Sequence, residues 1–328
     1  MRAIVYGIGA IGGTVAAALA LAGREVAGIA RGAQLEAVRA GGLLLRTPDG
    51  AARARFPCVA DPREIHWRPD DAVLLTMKTQ DTASALERLR AAGVAEQPVF
   101  CVQNGVANER MALRRFPNVH GVTVMMPASF TDPGEVAAFS TPRRGIFDVG
   151  RFPRGSDAAD RALAAELEAA GIAAFVDDEV MASKYGKLLL NLGNVVEAAL
   201  GPDVARGRFA ALLRAEGEAV LAAAGIAWRD VGAADPRRDT LMRQAEVAGA
   251  RRSGGSTTQS LARGTGSVET DWLNGEIVLL GRLAGVPTPA NGYFLGLGAR
   301  LAREGRGPGA VPLAEVEAGL AALGVAAG

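Results

Sequence analysis

The run Lys184-Tyr-Gly-Lys187-Leu-Leu-Leu-Asn191-Leu-Gly-Asn194 sets ammonium and amide groups into an otherwise apolar stretch. On a helix turning by about 100° per residue, Asn191 lies roughly 40° from Lys187, and Asn194 about 20° from it on the other side. The three form a polar stripe with leucines beside it. Such groups are costly in apolar surroundings unless they face partners or a ligand. Lys184 lies about 60° around the helix from Lys187 and is expected to matter less. Other polar groups stand where apolar runs end: Lys78 after Asp71-Ala-Val-Leu-Leu-Thr-Met, and Gln103-Asn104-Gly105 after Pro98-Val-Phe-Cys-Val. Gly255-Ser256-Thr-Thr-Gln259 precedes Val268-Glu269-Thr-Asp-Trp-Leu-Asn-Gly275. An acid such as Glu269 at a helix start can serve the helix dipole alone.

The elements that must position these groups begin at the N-terminus. The apolar run Ala3–Tyr6 leads into Gly7-x-Gly9-x-x-Gly12, an alanine-rich helical pattern reaches Gly23, and a second apolar run covers Glu25–Ala30. A strand, glycine turn, helix and strand within about thirty residues form a dinucleotide-binding unit. Gly7 permits the tight turn, Gly9 lets a pyrophosphate approach the backbone, and Gly12 lets helix pack on sheet. Gly7, Ile8, Gly9, Ala10, Ile11 and Gly12 are therefore the expected cofactor loop, with helix N–H groups facing the phosphates. The second strand ends in Ala30-Arg31-Gly32. An NAD site usually places Asp or Glu there, whereas Arg31 suits a 2′-phosphate, so NADP(H) is the expected cofactor.

Strand-like runs at Ala3–Tyr6, Glu25–Ala30, Ala72–Thr76, Val99–Val102 and Val119–Met125 alternate with helical segments. That alternation predicts an α/β fold, a Rossmann-type doubly wound parallel sheet with helices on both faces. Gly42–Arg46 and Ala52–Val59 read as a small strand insertion around Pro48-Asp-Gly50. Arg144–Val149 and Ala173–Val176 extend the sheet, with a helix over Asp157–Ala170 between them. After Asp177-Asp178 the patterning turns helical. One long helix is expected over Glu179–Leu200, closed by Gly201-Pro202, with others over Arg206–Ala224, Asp239–Arg251, Val268–Ala284 and Leu313–Leu323. The expected domains are 1–177, binding the nucleotide, and 178–328, all-helical, for substrate and dimerisation.

The chain has 328 residues, half of them hydrophobic, enough for two cored domains. A formal net charge of +1 gives no reason to expect nucleic acid or an anionic membrane as partner. Cys58 and Cys101 alone make no disulfide framework, and His66 and His120 lie in no metal-ligand spacing, so no metal is expected. Val15–Ala22 is read as the first helix of the nucleotide unit, not as a leader, because its removal would destroy that unit. No apolar stretch is long enough to span a membrane, and a cytoplasmic location is expected.

Taken together, these motifs resemble the ketopantoate reductase family. The likeness covers the glycine fingerprint followed by Arg31, Lys78 in T-M-K-x-Q, and Asn104 in Q-N-G. It continues through Lys187-x-x-x-Asn191 and Ser/Thr-Gln followed by Glu269-x-Asp-x-x-Asn-Gly, in order along nearly the whole chain. The resemblance implies NADPH-dependent reduction of 2-dehydropantoate to pantoate, a step toward pantothenate and coenzyme A. It makes Lys187 the proton donor to the substrate carbonyl, and Asn191 and Ser256 substrate-binding residues. Lys78, Asn104 and Glu269 then lie against the cofactor or the reacting centre, and Ala128 near a loop that contacts the cofactor. The family often carries a second Asn four residues after the first, where this chain has Val195; Asn194 comes one residue early. A further loop Asn has no counterpart in Ala198–Arg208. Rival readings are a reductase of another branched 2-oxo acid and a non-enzymatic NADP-binding sensor. The β-hydroxyacid dehydrogenases fit the Q-N-G and Glu-x-Asp elements less well. A homodimer through the C-terminal helices is expected, since closed dimers are the commonest assembly.

Overall fold

The computed structural model describes residues 1–201, 206–252, 254–264 and 266–325. Two compact units divide it, Met1–Lys184 with Ala233–Arg252, and Tyr185–Gly232 with Ser253–Gly328. The first unit therefore holds a segment, Ala233–Arg252, that a single cut near Asp177 leaves in the second.

The strands in chain order are β1 (Arg2–Tyr6), β2 (Val26–Ile29), β3 (Leu43–Thr47), β4 (Gly50–Ala54), β5 (Cys58–Val59), β6 (Asp71–Leu75) and β7 (Val99–Cys101). There follow β8 (Val119–Met125), β9 (Ala128–Asp132), β10 (Glu135–Ala138), β11 (Ser140–Pro142), β12 (Ile146–Arg151), β13 (Ala173–Val176) and β14 (Met242–Gln244). Eight of them form one sheet in the order β13-β12-β8-β7-β6-β1-β2-β5. Neighbours pair in parallel except β8 with β12, which run antiparallel. The order reverses between β1 and β6, which opens a crevice at the carboxyl ends of those strands. β1, β6 and β7 are almost wholly buried, as parallel strands covered on both faces must be.

Five helices accompany this sheet: α1 (Ala10–Leu21), α2 (Gly32–Gly41), α3 (Thr79–Ala91), α4 (Asn108–Leu113) and α5 (Ala158–Ala169). Asp157 caps α5 through the Ala159 N–H, and Asp160 returns the bond to the Asp157 N–H. The expected strand insertion is larger than its two strands. β4 and β3 join β10 and β9 in a second, four-stranded sheet, and β3 pairs with β10 in parallel.

Helical patterning after Asp177 yields α6 (Val180–Asn191), α7 (Asn194–Leu200), α8 (Arg206–Ala223), α9 (Arg237–Leu241), α10 (Ser256–Ala262), α11 (Asn274–Ala284), α12 (Pro289–Arg303) and α13 (Leu313–Ala321). Three expectations need correction. The long helix Glu179–Leu200 is two, broken at Leu192-Gly193, and Pro202, expected to close it, lies outside the described residues. A helix over Asp239–Arg251 does not form. Only Arg237–Leu241 is helical, and Met242–Gln244 then pairs antiparallel with Ser140–Pro142. The helix expected from Val268 starts at Asn274, after a 3₁₀ turn over Glu269–Trp272. Among the described residues, no helix is long and apolar enough to cross a membrane.

Candidate active site

In the first unit, the glycine loop leaves β1 with Gly7 at φ +108°, its N–H donating to Ile29 O at 2.9 Å. A Cβ on Gly12 would collide with Gly7 O and with Thr76 Oγ1, so α1 can lie this close to the sheet only with glycine there. Around Gly9 the space is open within 4 Å of where a Cβ would stand. Gly9 is also the N-cap of α1, with no side chain capping it. The loop therefore offers backbone N–H groups and a positive helix end to an anion, and the residues fit a dinucleotide pyrophosphate. Thr76 holds it in place. Its N–H donates to Tyr6 O at 2.9 Å, and its hydroxyl lies 2.9 Å from Tyr6 O and 2.8 Å from Gly7 O. Gln34 adds a second brace, donating to Ile8 O at 2.9 Å and accepting from the Gly134 N–H at 2.7 Å.

Arg31 ends the loop after β2, and its side chain is 86 % exposed, 3.3 Å from Asp81. An ion pair in so exposed a position holds weakly and can be exchanged for a phosphate. Burial raises the pKa of Tyr6, while the positive charges of Arg88 and Arg31 pull it the other way.

The Q-N-G motif divides its work. Gln103 is buried and donates to Met77 O and to Thr82 Oγ1, both at 2.8 Å. The Thr82 hydroxyl donates to Asn108 Oδ1 at 2.8 Å, and Asn108 Nδ2 lies 3.2 Å from both Thr79 Oγ1 and Asn104 O. This network ties the loop after β7 to the loop after β6 that carries Lys78. Gln103 is thus a latch, and Asn104 and Lys78 stand half-buried at the two strand ends. Ala128, half-buried, opens β9 opposite Ala138.

Lys184 is not the marginal residue its helix angle suggests. Only 2 % exposed, it pairs at 2.5 Å with Glu109, which is fully buried. Its ammonium also donates to Gln103 O at 2.9 Å, and to Cys101 O at 3.3 Å and Val122 O at 3.4 Å. A buried ammonium here satisfies carbonyls at the end of β7 and one on β8. Burial, with the Glu109 charge beside it, holds the Cys101 thiol well above its ordinary pKa.

In the second unit, Lys187 is half-buried on α6 with Gly186 and Leu188 buried on either side. Asn191, one turn on, is buried, and its Nδ2 has no hydrogen-bond partner among the described residues. A buried amide donor left unpaired costs on the order of 1–3 kcal/mol, which a ligand acceptor would recover. The break in the helix follows at once. Asn274, the Asn of the Glu-x-Asp-x-x-Asn-Gly motif, donates to Leu192 O at 3.2 Å and to Asn291 Oδ1 at 3.1 Å. Asn291 is held by Leu213 O and the Glu216 carboxylate. Because of the break, Asn194 does not continue the α6 stripe. It opens α7 and stands instead beside Gly255, next to Ser256, the first residue of α10. Glu269 is buried at the start of its 3₁₀ turn. Lys187 and Asn191 thus share one face of α6, and Asn194 stands beside Gly255, the residue before Ser256. Thr76, Glu109, Lys184 and Glu197 are further site-supporting residues beyond those the sequence marks; a polar residue inside an apolar stretch is the signal for Thr76 and Glu197, and Glu109 carries none.

A glycine cradle at the switch point of a mostly parallel sheet places the first unit in the dinucleotide-fold class. Residues 3–153 match the family described as "Ketopantoate reductase PanE/ApbA", and residues 179–301 its C-terminal domain. The 2-dehydropantoate 2-reductase of Mesorhizobium japonicum is 30 % identical, over 93 % of this chain and 98 % of its own. A crystal structure of a PanE/ApbA family ketopantoate reductase from Ralstonia eutropha JMP134 is 29 % identical, with a TM-score of 0.77 over 93 % of this chain and 99 % of that one. A D-mandelate dehydrogenase solved with NADH and anilino(oxo)acetate shares the fold at 23 % identity, with a TM-score of 0.77 over 93 % of this chain and 99 % of its own. The chain belongs to the ketopantoate reductase family.

Proposed function

We propose that this protein is an NADPH-dependent 2-dehydropantoate 2-reductase, making pantoate for pantothenate and coenzyme A. The observation that carries the reading is the half-buried Lys187 with an unpaired, buried Asn191 amide one turn away. The first unit holds the cofactor in this reading and the second the 2-oxo acid. The Gly7–Gly12 loop takes the pyrophosphate, Arg31 the 2′-phosphate, and Lys78, Asn104 and Ala128 lie along the nucleotide. The bound nicotinamide supplies a hydride to the substrate C2. Lys187, as an ammonium, polarises the carbonyl and passes a proton to its oxygen as negative charge develops there. It is left as a neutral amine and regains its proton from solvent. Asn191, Asn194 and Ser256 hydrogen-bond the carboxylate and hydroxyl of the acid, and Glu269 lies against the reacting centre.

A second reading, reduction of another branched 2-oxo acid, rests on Val195, which is buried where the family often has a second amide. NADPH oxidation over a panel of 2-oxo acids separates the two. The highest kcat/KM on 2-dehydropantoate supports the first reading, and a higher value on another acid the second. Cofactor binding with turnover of none makes the protein a sensor and overturns both.

Arg31→Asp should weaken NADPH by about ten- to a hundredfold and leave NADH nearly unaffected, because a charge-assisted phosphate contact becomes a repulsion. Dissociation constants for both cofactors check this, and equal weakening would remove Arg31 from the 2′-phosphate. The assembly in this reading is a homodimer through the C-terminal helices, where Leu279 and Leu283 stand 48 % and 77 % exposed one turn apart on α11. Light scattering should give twice the 33.7 kDa chain mass. The single-chain mass at micromolar concentration rules the dimer out.

A further inference from the structure

α10 begins with an unusual cap. In a capping box, the third helical residue returns a carboxylate to the N–H of the N-cap residue. Here the N-cap is Gly255, with no side chain, and the third helical residue is Thr258. The missing carboxylate comes from another helix. Glu197 of α7, 4 % exposed, accepts from the Gly255 N–H at 2.7 Å and from the Thr258 hydroxyl at 3.2 Å, both at Oε1. The approach is close enough that a Cβ on Gly254 would run into that oxygen, and Gly254 sits at φ +79°. Asn194 lies one turn before Glu197 on the same helix, its Oδ1 3.3 Å from where a Gly255 Cβ would be. One face of α7 thus grips both ends of a turn whose next residue is Ser256.

We infer that Glu197 is a positioning residue: its carboxylate fixes the Gly255–Thr258 turn so that Ser256 and Asn194 are held together as one substrate-binding pair. This rests on the reading of Ser256 as a contact to the 2-oxo acid. A carboxylate in a buried setting is well suited to the task, since charge-assisted bonds to N–H and O–H groups are short and strong. Glu197 itself need not touch the substrate.

The test is a double-mutant cycle with steady-state kinetics. E197A should raise the KM for the 2-oxo acid by about tenfold, the loss of roughly one charge-assisted hydrogen bond, with the KM for NADPH unchanged. E197Q keeps an acceptor oxygen for the Gly255 N–H and should recover most of that loss. S256A should raise the same KM, and E197A/S256A should be no worse than S256A alone, because Glu197 acts through Ser256. Multiplying effects, or a fall in kcat with both KM values changed alike, would overturn the proposal. Should E197A not fold, E197D draws the carboxylate back by one methylene and reads the same coupling. Amide hydrogen exchange separates a failure here from a failure of the proposed activity. If the protein reduces no 2-oxo acid, faster exchange at Gly255–Thr258 alone in the Glu197 variants still supports the anchoring, and unchanged exchange contradicts it.

Discussion

Lys187→Ala lowers kcat by about 10²–10⁴-fold, the usual worth of a positioned proton donor, while the dissociation constant for NADPH stays close to that of the unmutated protein. The split follows from the architecture. The glycine cradle, Thr76 and Arg31 belong to the first unit, and Lys187 to the second. Stopped-flow turnover and a separate cofactor titration check the two halves independently. Turnover near the native rate, or loss of NADPH binding in step with kcat, would take the proton-donor role away from Lys187.

Lys184→Met destabilises the fold by about 3–5 kcal/mol, because it strands the Glu109 carboxylate in a buried site with no compensating charge. Three carbonyl oxygens, of Cys101, Gln103 and Val122, lose a donor as well. A urea titration reads the effect as a fall in the unfolding midpoint. Lys184→Met with Glu109→Leu should recover most of the loss, since replacing a buried pair as a whole is often near neutral. An unchanged midpoint in the single variant would mean that the pair is solvated in solution. Lys184 therefore does not serve as an inert control for Lys187. The two lysines separate by what they change, stability for one and turnover for the other.

Much of this was written locally. The apolar runs at Val119–Met125 and Ala173–Val176 are strands to the residue, and the glycine fingerprint runs from the end of β1 into the first turn of α1. What stayed hidden depends on partners far along the chain. The break after Asn191 needs Asn274, 82 residues from Leu192, to take the Leu192 carbonyl. Asp239–Arg251 reads as helix until β11 offers Met242–Gln244 a strand to pair with. β9 and β10 are short, and β10 lies beside β3 from far earlier in the chain. α12 carries a local signal of its own: Pro289 starts it, and Ala290, Phe294, Leu297 and Leu301 make a buried stripe at helical spacing. At the site, residue types marked the right places but not the roles. Gln103 and Asn104 are adjacent in one motif, yet the first is a buried latch and the second is only half-buried. Lys184 and Lys187 differ in the same way: three residues apart on a helix, the first is sealed in an ion pair and the second is only half-buried.

The central claim is hydride delivery from NADPH to the carbonyl carbon of 2-dehydropantoate. Its most direct test is to run the reaction with NADPH carrying deuterium at C4 of the nicotinamide, one face at a time, and to examine the product by mass spectrometry. The account predicts pantoate labelled at C2 from one of the two cofactor isomers and unlabelled pantoate from the other. Recovery of 2-dehydropantoate unchanged, or pantoate free of label from both isomers, would contradict it.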